Sequence, residues 1–345
     1  MILYFLDRKM NTVGVASSSL PKTPQIYDDV LRDDIETASK TLKFSLAYTD
    51  ANAGDVAEMS AEGNFIVYQN RFFTIIDSDI DTDSMSVEIY CEDGGLDLLN
   101  DSFPPMEDGV SRTLSQWLLY FAGGSGFEVG TCESSASLAL SFSDSGTATE
   151  RLQAVAEAFD VELDFSFLMS DFALAGKYIS AYERKGLNQG VILRDGIEYS
   201  NLRIKRSVAN LATALRPEGN DGLDVSESVY DDGDIYTVNG SDVLYCRSAI
   251  GKYGRPGGTN KAITGSFKVD TSSRGQLLAE SVEELKRRSI PTVIYECDLV
   301  QMPFSAGDYI RIVSEKYNIY DTVRVISTEV SESNNEFKAE FSREV

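Results

Sequence analysis

Residues 305–313 read SAGDYIRIV, a Gly-Asp pair followed at once by an alternating apolar run. Asp308 is either a carboxylate lifted onto a turn for chemistry or the corner that starts a strand. Gly307 supplies backbone angles that other residues avoid, and an Asp side chain in such a turn bonds its own nearby amides. After it, Ile310 and Ile312 fall on one side of an extended run. Catalysis would need partners, and none stands nearby in the sequence, so the corner reading prevails. The whole closing segment, 291–342, then reads as alternating strands with turns at 305–308 and 333–335.

Outward from that corner, the first hundred residues follow the same period. TLKFSLAY (41–48) puts Leu42, Phe44, Leu46 and Tyr48 on one face. NFIVYQ and RFFTIID follow after turn residues, and MSVEIYCE alternates through Val87 and Ile89. Strands so closely spaced predict a small antiparallel barrel or sandwich over 1–104. FPPMEDG (103–109) breaks the pattern, and VSRTLSQWLLYFAGG then carries Leu114, Trp117, Leu118 and Phe121 at helical spacing until Gly123 and Gly124 stop it.

In TATERLQAVAEAFD (147–160), Thr147 and Glu150 have capping-box spacing, and Leu152, Val155, Ala156 and Phe159 form one stripe. This predicts an α/β insertion over 105–176. Strands resume over 177–215, and 216–289 reads as a Gly- and Asp-rich, loop-heavy α+β insertion. It ends in a helix, RGQLLAESVEELKRRSIP, whose acids precede its bases along the axis. The fold class expected from the pattern is mainly β with α+β insertions.

The chain has 31 Lys and Arg against 55 Asp and Glu, a net charge of −24, which argues against a surface built to neutralise nucleic-acid phosphates. The start, MILYFLDRKM, lacks a basic leader region, and no apolar run is long enough to span a bilayer, so neither secretion by signal peptide nor membrane insertion is expected. Cys91, Cys132, Cys246 and Cys297 contain no C-x-x-C pair and read as small apolar packing residues. There is no histidine, so Ser-His, Cys-His and His-ligated zinc chemistry within this chain is excluded.

Asp77, Asp79, Asp81 and Glu88 fall at positions 1, 3, 5 and 12 of a calcium-loop pattern, but Thr82 stands where that loop requires glycine and the flanks read as strands. A polar hairpin connection is the simpler reading. FAGGSGFEVG and GKYGRPGGTNK lack phosphate-loop spacing. Lys252, Arg255, Lys261 and Lys268 make a basic island, read either as scattered solvated charge or as a contact to an acidic neighbour. Trp117 belongs to a helix stripe and reads as core rather than as a sugar platform. No catalytic, cofactor-binding or metal-ligating residue is predicted.

The segment 288–330, RSIPTVIYECDLVQMPFSAGDYIRIVSEKYNIYDTVRVISTEV, resembles the N-terminal region of phage tail-associated lysins, the prophage endopeptidase tail family. The likeness rests on Pro291, the Gly307-Asp308 turn and Arg324-Val325. LDRKMNTVGVASSS (6–19), DDIETASKTLKFSLAY (33–48), GGLDLLND (94–101), WLLYFAGGSGFEVG (117–130) and NLRIKRSVANLATALRPEG (201–219) are similar to the family in order and spacing. The resemblance implies a baseplate-hub fold with two small β-barrels and two peripheral domains. The barrels are expected at 1–104 and at 177–215 with 290–345, the insertions at 105–176 and 216–289.

It further implies a homotrimeric ring at the virion tail tip, assembled in the host bacterial cytoplasm. The ring's expected partners are the distal tail protein, the tail tube or tape-measure protein, and receptor-binding proteins. It would gate the DNA channel until ejection, with no cofactor and no specific nucleic-acid binding. A tail-associated peptidoglycan hydrolase and a carbohydrate-binding adhesin are the alternatives. Many family members continue into a lytic or fibre-like C-terminal domain, and no catalytic residue is carried over from them.

Overall fold

A computed structural model describes all residues except 36, 39, 70, 94–100, 171–172, 258 and 344–345. Most of the GGLDLLND motif therefore lies outside the described residues. The chain divides into two compact units, one formed by Met1–Leu202 with Glu296–Phe341, the other by Arg203–Tyr295 with Ser342–Val345. Among the described residues no helix is long and apolar enough to cross a membrane.

In the first unit the alternating runs become β1 (Ile2–Leu6), β2 (Thr12–Ser17), β3 (Gln25–Asp34), β4 (Lys40–Ala47), β5 (Phe65–Tyr68), β6 (Arg71–Asp81) and β7 (Ser86–Asp93). Pairing runs β3–β2–β1–β5–β6–β7–β4 and returns from β4 to β3, so all seven strands lie on one hydrogen-bonded circuit. The inward set of each strand fills the interior: Leu42, Phe44 and Leu46 from β4, and Val87, Ile89 and Cys91 from β7, are fully buried beside Leu3, Phe5 and Phe73. Period two puts these residues on one face, and each such side chain contributes about 1.5–3 kcal/mol on burial. The short helix Ala53–Met59 adds Val56 and Met59 to this core, an element not apparent from the sequence pattern.

A second apolar cluster of the same unit gathers the helices Leu114–Ala122 and Ala148–Phe159. Both start with complete capping boxes, Thr113 with Gln116 and Thr147 with Glu150. Trp117 is fully buried, stacks on Phe121 at 5.8 Å and donates its indole N–H to the Leu138 carbonyl at 3.1 Å, which places it in the core. The strand Ala173–Tyr182 runs between Phe127–Cys132, parallel, and Glu162–Ser170, antiparallel.

The closing strands complete the unit. Tyr309–Ser314 pairs antiparallel with Ile319–Ser331 and parallel with Asn188–Arg194. The far half of Ile319–Ser331 continues onto β3, with Ser327 opposite Asp34 and Val330 opposite Leu31. One 13-residue strand therefore belongs to both strand groups.

In the second unit, within the Gly- and Asp-rich stretch, Ala214–Glu218 pairs antiparallel with Leu244–Cys246 and parallel with Thr264–Lys268. Ile235–Thr237 pairs with Leu244–Cys246. The helix Arg274–Arg288 lays Leu277, Val282 and Leu285 on a core that includes Leu215, Ile235 and Leu244. Ser273 caps its first turn, and Lys286, Arg287 and Arg288 complement the dipole at its end.

Candidate functional site: a buried ionic joint

The corner at Gly307-Asp308 is the centre of the most elaborate polar site in the first unit. Gly307 has φ +98°, and Gly186 has φ +105°. A Cβ on Gly186 would lie 2.1 Å from the Gly307 carbonyl oxygen, so two glycines let these backbones touch. Asp308, 5% exposed, accepts from the Leu187 amide at 2.7 Å and from the Ser305 amide at 3.0 Å. It therefore closes its own turn and fastens a segment 121 positions away. Its backbone pairs with Val325, and the Tyr309 amide donates to the Leu187 carbonyl.

Arg324, 4% exposed, leans on the same corner. Its Nε donates to the Gly307 carbonyl at 3.2 Å and its Nη2 to the Lys185 carbonyl at 2.8 Å, while both terminal nitrogens grip the Glu162 carboxylate. Glu162 also accepts from the Lys185 amide at 2.8 Å. Burial pushes the Glu162 carboxyl up, but the Arg324 guanidinium and the Lys185 amide outweigh it and hold the group below the usual carboxylate range. The Lys185 ammonium meets Asp164, and the Lys40 ammonium stands 3.6 Å from the same oxygen. Burial pulls the Lys185 amine down, yet Asp164 more than compensates and raises it.

Asp93 ends β7 beside this network. It is 3% exposed and neither carboxylate oxygen completes a hydrogen bond, although the Lys40 amine and amide face it. Burial pushes its carboxyl up to about 7; Lys40 opposes that rise, and the like charges of Asp33 and Asp164 add to it. The arrangement fixes geometry and can hold a proton at Asp93.

The residues singled out in the sequence lie elsewhere. Asp77, Asp79, Asp81 and Glu88 are strung along the β6–β7 hairpin, Asp79 opposite Glu88 and Asp77 opposite Tyr90, rather than wrapped into a loop. Asp81 accepts from the Asp83 and Ser84 amides in the hairpin turn, and Glu88 faces Lys43 at 3.2 Å. Among the described residues no group of three or more His, Cys, Asp or Glu side chains is placed to hold a metal ion. Lys252, Arg255, Lys261 and Lys268 lie in the second unit.

Glu162, Lys185 and Asp93 escaped the sequence reading, and Arg324 entered it only as part of the family motif. Asp93 had a usable signal, because it continues the inward parity of Val87, Ile89 and Cys91. Arg324, between the fully buried Val323 and Val325, had a weaker one.

Residues 187–342, which include the Asp308 corner and Arg324, match the family model of the prophage endopeptidase tail. That region, a little under half of the chain, is similar to the prophage endopeptidase tail family. The fold of this phage tail protein is shared over nearly its whole length with solved structures of low identity. The prophage tail protein gp18 from Listeria monocytogenes is 13% identical, with 99% of this chain and 94% of that one covered and a TM-score of 0.63. The 43 kDa tail protein of prophage MuSo2 from Shewanella oneidensis is 14% identical, with 100% and 98% covered and a TM-score of 0.60. A tail protein from Neisseria meningitidis is 9% identical, with 99% and 95% covered and a TM-score of 0.60. No curated protein matches the sequence.

Proposed function

We propose that this phage tail protein is the structural hub of a tail tip, a homotrimeric ring that joins the distal tail protein and tail tube to receptor-binding parts and gates the DNA channel. The observation that carries the reading is the closed pairing circuit of β1–β7, extended through β3 onto Ile319–Ser331. We read that circuit as one barrel, 1–104, and the strands of 177–215 with 290–345 as a second, with 105–176 and 216–289 as peripheral domains. Closure removes the exposed strand edges that make β-rich chains aggregate. Two barrels per chain give a trimer six barrels around one axis. The chain's net charge of −24 suits a conduit that lets DNA pass without holding it.

A structural role fits the ionic joint better than hydrolysis does. Glu162 and Asp164 are committed to cations, and Asp308 to backbone amides. The absolute mass of the purified protein by light scattering, alone and with neighbouring tail proteins, tests the ring. Three times the 38.0 kDa chain mass is expected. A monomer that persists with every neighbour present overturns the hub reading.

A further inference from the structure

Charge is distributed very unevenly along the chain. Residues 203–295 hold 13 of the 31 Lys and Arg but only 12 of the 55 Asp and Glu, a net of +1, which leaves −25 on the rest. In this near-neutral stretch a cavity of about 510 Å³ opens between the helix Arg247–Tyr253 and the loop after it, lined by Tyr236, Arg247, Ile250, Arg255, Pro256 and Lys261. Arg247 is already committed: it pairs with Asp231 at 2.7 Å and lies over the Tyr236 ring at 4.0 Å. Arg255 and Lys261 have no carboxylate partner among the described residues, and both are exposed.

Their placement is built into the backbone. The Arg255 amide donates to the Lys261 carbonyl at 2.8 Å, which clamps the loop and brings both cations to one rim. Gly254 lets it lie tight against the helix end, where a Cβ would be 2.4 Å from the Ile250 carbonyl oxygen. Lys252 adds a third exposed cation nearby.

The opposite feature is the hairpin of β6 and β7. Asp77, Asp79, Asp81 and Asp83 are all exposed, and none has a cationic partner among the described residues. Asp77, Asp79 and Asp81 alternate onto one face, while β5 pairs with β6 only over Arg71–Thr74. The acidic end of β6 therefore projects past its neighbour.

We propose that the basic pocket docks the acidic β6–β7 hairpin of a second copy of this chain. Unpaired cations in a chain carrying −24 are best matched by the chain's own unpaired carboxylates, and like-charged bodies associate only where such a contact offsets their repulsion. Pocket and hairpin differ, so the contact is heterologous and repeats head to tail. It rests on the ring reading only for closure at three copies.

The test is zero-length carbodiimide coupling, which joins amines to carboxylates in contact, in an equal mixture of isotopically light and heavy full-length chains. Mass spectrometry is expected to find light–heavy links from Lys261 or Lys252 to Asp77, Asp79, Asp81 or Asp83, weakened by high salt. R255E/K261E and D77K/D79K each lose self-association by about tenfold or more, and mixing the two reversed variants restores it. All the substituted side chains are exposed, and unchanged circular dichroism verifies folding. A trimer without these links, indifferent to both reversals, overturns the docking and leaves the ring standing. The links in dimers or open chains uphold the docking and overturn the ring. A monomer without links overturns both.

Discussion

In the unit of Met1–Leu202 and Glu296–Phe341, the Arg324 and Glu162 side chains pair at 5% and 19% exposure. Around residues 203–295, Arg216 pairs with Asp242 at 60% and 44% exposure. The first pair is locked by two backbone carbonyls and an amide, whereas the second stands in water. Charge removed from water is costly unless every remaining donor and acceptor is met, so a buried pair dictates one geometry. An exposed pair dictates almost nothing and leaves the surface available to partners. At the joint, charge thus fixes strands of the first unit, whereas the Arg216–Asp242 pair of the second leaves its charge in water.

The largest effect is expected at the joint itself. Arg324→Met strands the Glu162 carboxylate and is expected to cost about 3–5 kcal/mol, read by denaturant unfolding through the fluorescence of Trp117. Arg324→Lys should recover little, because a single ammonium cannot grip a carboxylate and two carbonyls at once. A loss under about 1 kcal/mol would erase the contrast between the units.

Asp93 sharpens the contrast through pH. Its folded carboxyl is raised from 3.8 to about 7, so the folded state keeps a proton that the unfolded chain has released. The contribution of Asp93 to stability is therefore greatest below about pH 4, falls as pH rises towards 7 and levels off above it. Asp93→Asn is expected to flatten that slope and to exceed the native protein at pH 8 by on the order of 2–4 kcal/mol, with little difference at pH 4. Equal slopes for the two proteins in the same unfolding assay would show that Asp93 does not titrate there.

Next in size is Asp308→Ala, which leaves the Leu187 and Ser305 amides without their acceptor and is expected to cost about 1–3 kcal/mol. Asp308→Asn should recover part of the loss, since one amide oxygen can still accept, and equal losses for both variants would point away from the hydrogen bonds. The smallest effect belongs to the second unit. Arg216→Ala is expected to change stability by under about 1 kcal/mol, checked by hydrogen exchange along the helix Arg274–Arg288.

Much of the local structure could be read in advance because its causes are local. The helices at Leu114 and Ala148 announce themselves by stripe and capping box, and the inward set of β4 by alternation. The middle of 216–289 was harder: Leu244–Cys246 has three residues and Arg247–Tyr253 seven, too few for a period to stand out. Asp93 was visible as an acid at an inward position, but not what surrounds it.

By itself the sequence determined the periodicities, the caps, the charge surplus, the absence of imidazole chemistry and the Gly-Asp corner, since each depends on neighbours a few positions away. Colinear motifs also marked the tail-family resemblance. Only the tertiary structure decided that Asp308 fastens Leu187 and that Arg324 grips Glu162, 162 positions earlier. Chain entropy makes such distant pairings illegible from either partner alone: many segments could meet, and the packing of every strand between them selects the ones that do.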